Sequence, residues 1–257
     1  MLEFIDTHAH LYDEQFKKDR KNSIQNAINE GVNKFFLPNV DSETIEEMLV
    51  LENQYPENCF ALMGLHPCSV KQDFEKELAV VEKYLNQRKF VAIGEIGTDL
   101  HWDKTFWEQQ KEAFTIQIQW AKKYKVPIII HCRASFQETV ELLAPHAGED
   151  LKGIFHCFGG SENSAKTIME LGFLMGIGGV VTYKKSGLDT VLPNVPLEYL
   201  VLETDSPYLA PVPYRGKRNE SSYIPIIAQK LSDIKGITLE EVSKKTTENA
   251  LRLFQML

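Results

Sequence analysis

Leu2-Glu3-Phe4-Ile5-Asp6-Thr7-His8-Ala9-His10 opens the chain with a short apolar run that ends in two alternating histidines. The run predicts a β-strand, in which successive side chains point to opposite faces. His8 and His10 are therefore expected on one face, roughly 7 Å apart along the backbone, where two imidazoles can converge on one small cation. A pair of surface histidines is the alternative, and the remaining polar residues of the chain decide between the two.

Apolar, strand-like runs alternate with helical segments from this first strand to the end of the chain. Eight strand–helix units in about 250 residues predict a (β/α)8 barrel of the TIM type with an extra C-terminal helix. An open, doubly wound sheet is the alternative that the same alternation permits. The predicted strands are Leu2–Asp6, Lys34–Pro38, Cys59–Leu65, Phe90–Glu95, Pro127–His131, Gly153–His156, Gly172–Gly176 and Tyr199–Glu203.

Helical periodicity is clearest in Phe106–Tyr124, where apolar residues recur on one side and charges lie opposite. A further helix is predicted to open at Ser42, another at about Asn219, and the last spans about Thr238 to Phe254. Residues 1–257 contain no stretch rich in Pro, Gly or Ser that would mark a linker, so we predict one domain.

The composition is that of an ordinary globular protein, with 43% hydrophobic and 25% charged residues. A formal net charge of −8 argues against a broad basic surface for duplex nucleic acid, although a local basic loop remains possible. We find no signal peptide, no apolar run near the ~20 residues of a membrane helix, and no sign of an obligate protein partner. Four cysteines suggest reduced thiols, so the expected location is cytoplasmic.

Polar residues that can bind metal follow six of the predicted strands, and they include five of the seven histidines. In a barrel of this kind the chemistry lies at the C-terminal ends of the strands. Taken singly, each such histidine could be a structural residue and the glutamate a salt-bridge partner. Taken together, they are expected to converge at one opening. They are His8, His10, His66, Glu95, His131, His156, Glu203 and Asp205.

Four histidines with two or three carboxylates form a mixed nitrogen–oxygen donor set that suits two metal ions. Glu95 is the natural bridge, because one carboxylate can hold two cations ~3.5–4 Å apart. His8 and His10 would complete one position, and His131 and His156 the other. Asp205 is assigned as ligand and base, with Glu203 behind it. Cys132 and Cys157 follow histidines and so suggest a zinc thiolate, but strand alternation turns them toward the helices as small core residues.

The chain resembles the TatD-like metal-dependent hydrolases, a family usually described as deoxyribonucleases. The resemblance implies that His8, His10, Glu95, His131, His156 and Asp205 are the metal-binding positions. The imidazole ligands favour Zn²⁺, and the carboxylates with a phosphate substrate are compatible with Mg²⁺ or Mn²⁺. The sequence departs from the family at Ala134 and over Thr98–Trp102, two places beside the expected site that bear on substrate preference. The motifs that carry the resemblance are Asp6–His10, Gly64–Pro67, Gly94–Gly97, His131–Arg133, His156–Gly160, Leu202–Leu209 and Pro213–Glu220.

The function that we predict is hydrolysis of phosphodiester bonds in DNA, single-stranded or at ends, by a water that two metals activate. Asp205 would take the proton of that water, with Glu95 and Glu203 as its catalytic partners. An amidohydrolase acting on a small-molecule amide, lactone or ester is the second hypothesis, and a non-catalytic metal-stabilised binding module is the third. Phosphates would be held by His66, Arg133, Arg215, Lys217 and Arg218, and bases could stack on Trp102, Phe158 or Tyr208.

Overall fold

The structure is a computed structural model that describes residues 2–256. Parallel strands alternate with helices over this range, as the sequence predicts. The strands are β1 (Phe4–Asp6), β2 (Val32–Pro38), β3 (Cys59–Leu62), β4 (Ile93–Asp99), β5 (Ile128–Arg133), β6 (Gly153–Phe155), β7 (Leu174–Ile177) and β8 (Leu200–Leu202). The helices are α1 (Arg20–Asn29), α2 (Ile45–Gln54), α3 (Phe74–Gln87), α4 (Trp107–Tyr124), α5 (Phe136–Leu143), α6 (Glu162–Glu170), α7 (Leu188–Val191), α8 (Ile224–Lys235) and α9 (Leu239–Leu253).

The eight strands close into a ring. Hydrogen-bonded pairing is continuous from β1 to β3 and from β4 to β8. The gap between β3 and β4 is joined by a parallel bridge between Met63 and Ile93, and the gap between β8 and β1 by one between Ala9 and Ser206. A closed parallel ring is a barrel, so the prediction of a TIM-type fold is confirmed and the open sheet is excluded.

Strand β4 is displaced from its prediction. It begins at Ile93 and continues to Asp99, whereas the sequence suggested Phe90–Glu95. Gly97 and Asp99 have little intrinsic preference for strands, yet both pair with β5, opposite His131 and Arg133. Backbone pairing with the neighbouring strand overrides local propensity here, and it places Asp99 at the mouth of the barrel.

The C-terminal helix α9 covers the N-terminal ends of the strands. Phe254 stacks on Phe36 of β2 with ring centroids 3.7 Å apart. The hydroxyls of Ser243 and Thr247 donate to the Glu3 carbonyl, which ties the helix to the start of β1. The apolar layer under this helix takes residues from most strands: Ile5, Phe36, Leu62, Ala92, Ile129, Ile154 and Val201, with Ala250 and Phe254.

Helix α4 positions two of the strand ends that carry the site. Its expected apolar face is buried at Phe114, Ile118 and Ala121, but two glutamines are buried with it. Gln110 binds the backbone N–H and carbonyl of Asp99, and Gln117 does the same for Leu65. An amide that satisfies both backbone groups of a strand end fixes its position.

Among residues 2–256, none of the helices combines the length and the apolar character that crossing a membrane requires. The assignment of residues 1–257 to one domain stays a prediction.

Candidate metal centre

Glu95 lies at the centre of the site, on β4, with its side chain 3% exposed. Its two carboxylate oxygens face different histidines. Oε2 is 3.1 Å from His8 Nε2 and 3.6 Å from His10 Nε2. Oε1 is 2.9 Å from both His131 Nδ1 and His156 Nε2. One oxygen per histidine pair is the arrangement that a bridging carboxylate requires.

The first pair of histidines follows β1 and converges as the His-x-His spacing predicts. His8 Nε2 and His10 Nε2 lie 3.2 Å apart, and Asp205 Oδ1 is 3.6 Å from each of them. The Tyr12 hydroxyl donates to the Pro38 carbonyl, so it can only accept from His10 Nδ1 at 2.9 Å. His10 is thereby held with its proton on Nδ1 and the lone pair of Nε2 directed at its neighbours.

The second pair comes from the ends of β5 and β6. His131 donates from Nε2 to the Asp99 carboxylate at 2.9 Å, so a neutral His131 has the lone pair of Nδ1 on the side of Glu95. His156 presents Nε2 to the same oxygen of Glu95. The rings of His156 and His8 stack with centroids 3.9 Å apart, so the two pairs form one continuous cluster.

His66 lies in the cluster but is oriented differently from the other four histidines. Its Nδ1 accepts from the Cys68 N–H at 3.0 Å, so a neutral His66 carries its proton on Nε2. That nitrogen is 3.3 Å from Glu95 Oε1 and can donate to it. His66 is therefore suited to donate a hydrogen bond at the edge of the centre, and its role toward phosphate stays a prediction.

Charges within the cluster are strongly coupled. Burial acts to raise the pKa of Glu95, but His156, His8 and His66 outweigh burial and hold that pKa well below its usual value. Burial lowers the pKa of His8 and keeps its imidazole neutral. Against the same burial, Glu95 and Glu203 hold the pKa of His156 well above its ordinary value. An ionised carboxylate among largely buried imidazoles is the electrostatic setting of a metal site.

The donor set fits divalent ions. The Nε2 atoms of His8 and His10 lie 3.2 Å apart, so two neutral imidazoles with their protons on Nδ1 can both bind one cation there. Four groups have ligand atoms that lie within 4.8 Å of one another. They are His8, His10 and Glu95; His8, His156 and Asp205; Glu95, His131 and His156; and His66, Cys68 and His131. The structure thus brings together all six residues predicted to bind metal.

Asp99 is a site residue that the sequence reasoning missed. Its Oδ2 accepts from His131, and its Oδ1 accepts from the backbone N–H groups of His101 and Trp102 at 2.8 and 2.9 Å. The carboxylate therefore fixes both the orientation of His131 and the start of the loop after β4. The strand-end rule could have found Asp99 if the end of β4 had been placed correctly.

Glu203 lies behind His156 rather than among the converging donors. Its Oε1 accepts from the Cys157 N–H at 2.5 Å and is 3.5 Å from His156 Nδ1. Gly176 of β7 makes this possible, because a Cβ there would lie 1.9 Å from Glu203 Oε2. The structure therefore places Glu203 behind His156, and its predicted catalytic role stays a prediction.

The two cysteines that follow histidines behave differently. Cys132 packs against the core, and its sulfur accepts from the Thr139 hydroxyl of α5, as alternation predicts. Cys157 is half-buried and lies outside the hydrophobic core. It adopts a left-handed conformation with φ of 51° after β6 has ended at Phe155, so alternation no longer applies. The prediction that Cys157 is a core residue is wrong for that reason.

Asp6, the last residue of β1, is hydrogen-bonded to the segment that follows β8. It is fully buried and accepts from the backbone N–H and hydroxyl of Thr204 at 2.9 and 2.6 Å. Burial raises the pKa of Asp6 to about 7. This cross-link between β1 and the segment after β8 holds His8 and Asp205 side by side.

The basic residues predicted to hold phosphate divide into two groups. Arg133 and Arg215 are exposed and lie over aromatic rings, 5.1 Å from the Trp102 centroid and 4.6 Å from the Tyr183 centroid. Lys217 lies 5.9 Å from the ring of Tyr214. None of these three has an ion-pair partner in the part of the chain that the structure describes.

Arg218 was predicted to hold phosphate, but the structure pairs it with two carboxylates. Its guanidinium forms two 2.7 Å bonds to Asp19 and one of 2.9 Å to Glu220, so its charge is already neutralised. The Arg218–Asp19 ion pair places a second basic run beside the loop that carries Arg215 and Lys217. The sequence reasoning did not connect this run with the loop. Its residues are Lys17, Lys18, Arg20 and Lys21.

Comparison with known proteins agrees with the geometry. The family described as TatD related DNase matches residues 5–255 of the chain. The chain belongs to this family. It is 39% identical over 253 residues to the uncharacterized metal-dependent hydrolase YabD of Bacillus subtilis, and the match covers 98% of this chain and 99% of that protein.

A second relative in the TatD family has a named activity. The protein named 3'-5' ssDNA/RNA exonuclease TatD from Pectobacterium parmentieri is 30% identical, with 98% of this chain and 99% of that protein covered. The crystal structure of YjjV, a TatD homologue from Escherichia coli K12, superposes with a TM-score of 0.92 at 30% identity, and 98% of each chain is covered. The chain is a metal-dependent hydrolase of the TatD family.

Proposed function

We propose that this hydrolase cleaves phosphodiester bonds at the ends of single-stranded nucleic acid. The observation that carries the proposal is the position of Glu95, with one oxygen toward His8 and His10 and the other toward His131 and His156. The relative named as an exonuclease supports the choice of substrate. The cytoplasmic location expected from the sequence stays a prediction.

Two divalent ions held by these residues would supply an acidified water and would neutralise charge on the phosphoryl oxygens. Asp205 is the carboxylate placed to take the proton, because its side chain is 15% exposed whereas that of Glu95 is 3% exposed. His66 can donate from Nε2 to a phosphoryl oxygen at the edge of the cluster. Asp99 holds His131 in the orientation that directs its Nδ1 toward the centre, and Glu203 places a carboxylate 3.5 Å behind Nδ1 of His156.

The mouth of the barrel suits a single strand better than a duplex. Arg133, Arg215 and Lys217 supply separate positive charges around the opening, in a protein of net charge −8. A short strand end needs only such local contacts. Exposed aromatic rings, Trp102 and Tyr208, can meet unpaired bases, whereas the third stacking candidate, Phe158, is buried.

The test of the proposed reaction is the Asp205→Asn variant on end-labelled single-stranded DNA with Mg²⁺ or Mn²⁺. We expect turnover to fall by about 10²–10⁴-fold, because a general base is lost while the fold remains. Asp189→Asn, an exposed aspartate of α7, is the control and should keep full turnover. Wild-type turnover by the Asp205→Asn variant would remove Asp205 from its proposed role.

The competing hypothesis, a small-molecule hydrolase, is tested by measuring how KM depends on salt and on two basic residues. Replacing Arg215 and Lys217 by alanine should raise KM for the oligonucleotide and make it less sensitive to salt, because two phosphate contacts are lost. The matched control replaces Lys76 and Lys83, two exposed lysines of α3, and should change neither. An unchanged KM, together with hydrolysis of a lactone or carboxylic ester panel, would favour the small-molecule enzyme instead.

A further inference from the structure

Trp102 is the most exposed of the large apolar side chains that the structure describes, with 67% of its surface open to solvent. It lies three residues beyond the end of β4, at the mouth of the barrel. An indole buries a large area when it is covered, and leaving it open in water is unfavourable. Trp102 therefore presents a large uncovered aromatic surface beside the opening.

Arg133 adds a charge to this surface. It is the last residue of β5, and its guanidinium lies 5.1 Å from the centroid of the Trp102 ring. Arginine over an indole is a favourable cation–π contact that also fixes the direction of both side chains. Arg133 has no ion-pair partner among residues 2–256, so its charge can be offered to an anion.

Asp99 connects the two side chains to the metal centre. Its Oδ1 holds the backbone N–H of Trp102, and its Oδ2 holds Nε2 of His131. The backbone of Arg133 contributes as well, because its carbonyl accepts from the Leu100 N–H at 2.9 Å. The backbone of Trp102 is thus fixed relative to His131, and the indole extends from a hydrogen-bonded segment.

Tyr208, the other exposed aromatic ring at the mouth, lacks these features. Its ring centroid is 6.1 Å from that of His10, and its hydroxyl reaches Asp13 Oδ2 at 3.5 Å. The nearest charge is therefore a carboxylate, which repels phosphate. The side of the mouth that carries Trp102 has a positive charge, that of Arg133, which complements phosphate.

We propose that Trp102 and Arg133 form a nucleotide subsite. The indole stacks on one base of a single-stranded substrate, and the guanidinium contacts a phosphate of the same strand. Stacking on an aromatic ring accepts any base, and a neighbouring arginine strengthens it. This inference rests on the proposed function, because it names the group of that same substrate which the site holds.

Binding to base-bearing and abasic oligonucleotides of equal length tests the subsite. The measurements use the full chain loaded with Mn²⁺ in the Asp205→Asn background, so that the oligonucleotide is not consumed. We expect this protein to bind oligothymidylate about tenfold tighter than the abasic strand. Adding Trp102→Ala should abolish the difference, and Trp102→Phe should keep most of it. Adding Arg133→Ala should weaken the binding of both strands, that of the base-bearing strand somewhat more, and should reduce the salt dependence by about one phosphate contact.

Intrinsic fluorescence provides a second readout, because the chain has only three tryptophans. Oligothymidylate should quench the emission, and Trp102→Phe should remove the quenching. Trp107→Phe, the matched control, should keep it, since Trp107 is half-buried on α4. Quenching that survives Trp102→Phe, or base discrimination that survives Trp102→Ala, would overturn the subsite.

The two proposals fail in different ways. If the wild-type enzyme hydrolyses single-stranded DNA but the Trp102 variants bind as their parent does, only the subsite is wrong. If the wild-type enzyme neither binds nor cleaves any oligonucleotide, the proposed function fails and the subsite fails with it.

Discussion

The two ends of the barrel are built by the same strands and have opposite chemistry. Ile129 and Ile154 lie in the apolar layer under α9. Two residues further along the chain, His131 lies at the end of β5 and His156 directly follows β6. A rise of about 7 Å along β5 and β6 thus separates a hydrophobic layer from a cluster of buried charges.

This contrast separates stability from activity. The apolar layer is stabilised by the transfer of its side chains from water, and nothing in it can react. The polar layer buries Glu95 and several imidazoles, which is costly unless the charges compensate one another or bind a cation. Substitutions in the apolar layer should therefore lower the free energy of unfolding, and substitutions in the polar layer should lower turnover.

The largest expected effect is that of Glu95→Gln. Loss of the bridging carboxylate removes metal-assisted stabilisation of the transition state, so turnover should fall by about 10³-fold or more. The fold should be kept, because the glutamine fills the same space at the polar end. Metal analysis after dialysis and circular dichroism check both statements, with Glu75→Gln on the exposed face of α3 as control. Retained activity and full metal content would end the idea of a bridging role.

Phe254→Ala tests the opposite end. Phe254 is 4% exposed and stacks on Phe36, so its removal leaves a cavity under the barrel. We expect a loss of about 3 kcal/mol in the free energy of unfolding, measured with denaturant, and unchanged turnover in the folded protein. Phe254→Leu should lose much less. A fall in turnover larger than the loss of folded protein would show that the two layers are coupled.

Asp99→Asn has the smallest expected effect of the three substitutions. It tests whether a carboxylate that only positions a ligand of the polar layer affects metal binding. The carboxylate orients His131 without lying among the converging donors, so metal affinity should fall by about 10–100-fold. Excess Mn²⁺ should restore much of the turnover. Asp103→Asn, in the same loop, is the control and should bind metal as the wild type does. An affinity unchanged by Asp99→Asn would remove Asp99 from its positioning role.

Local patterns in the sequence were sufficient to predict which residues converge. His8 and His10 are two positions apart, so their common face follows from strand geometry alone. His131, His156 and Glu95 follow apolar runs, and the strand-end rule places them at one opening. These predictions needed no knowledge of side-chain contacts, because a parallel barrel brings all its strand ends to the same side.

Contacts between distant parts of the chain could not be predicted in this way. Arg218 is paired with Asp19, a residue 199 positions away, and this pairing neutralises a charge that the sequence suggested for phosphate. Cys157 leaves the strand geometry on which its predicted burial depended. The extension of β4 to Asp99 depends on pairing with β5, against the local preference of its residues.

The sequence by itself determined the alternation of strands and helices and the set of residues at the strand ends, because both follow from periodicity and spacing. The tertiary structure decided between the closed barrel and the open sheet, because closure depends on the bridges between β3 and β4 and between β8 and β1. Only the tertiary structure decided how each side chain is used. Whether a histidine directs a lone pair or a proton inward depends on the partner of its other nitrogen. For His10, His66 and His131 those partners are Tyr12, Cys68 and Asp99, and the last of these comes from a different strand.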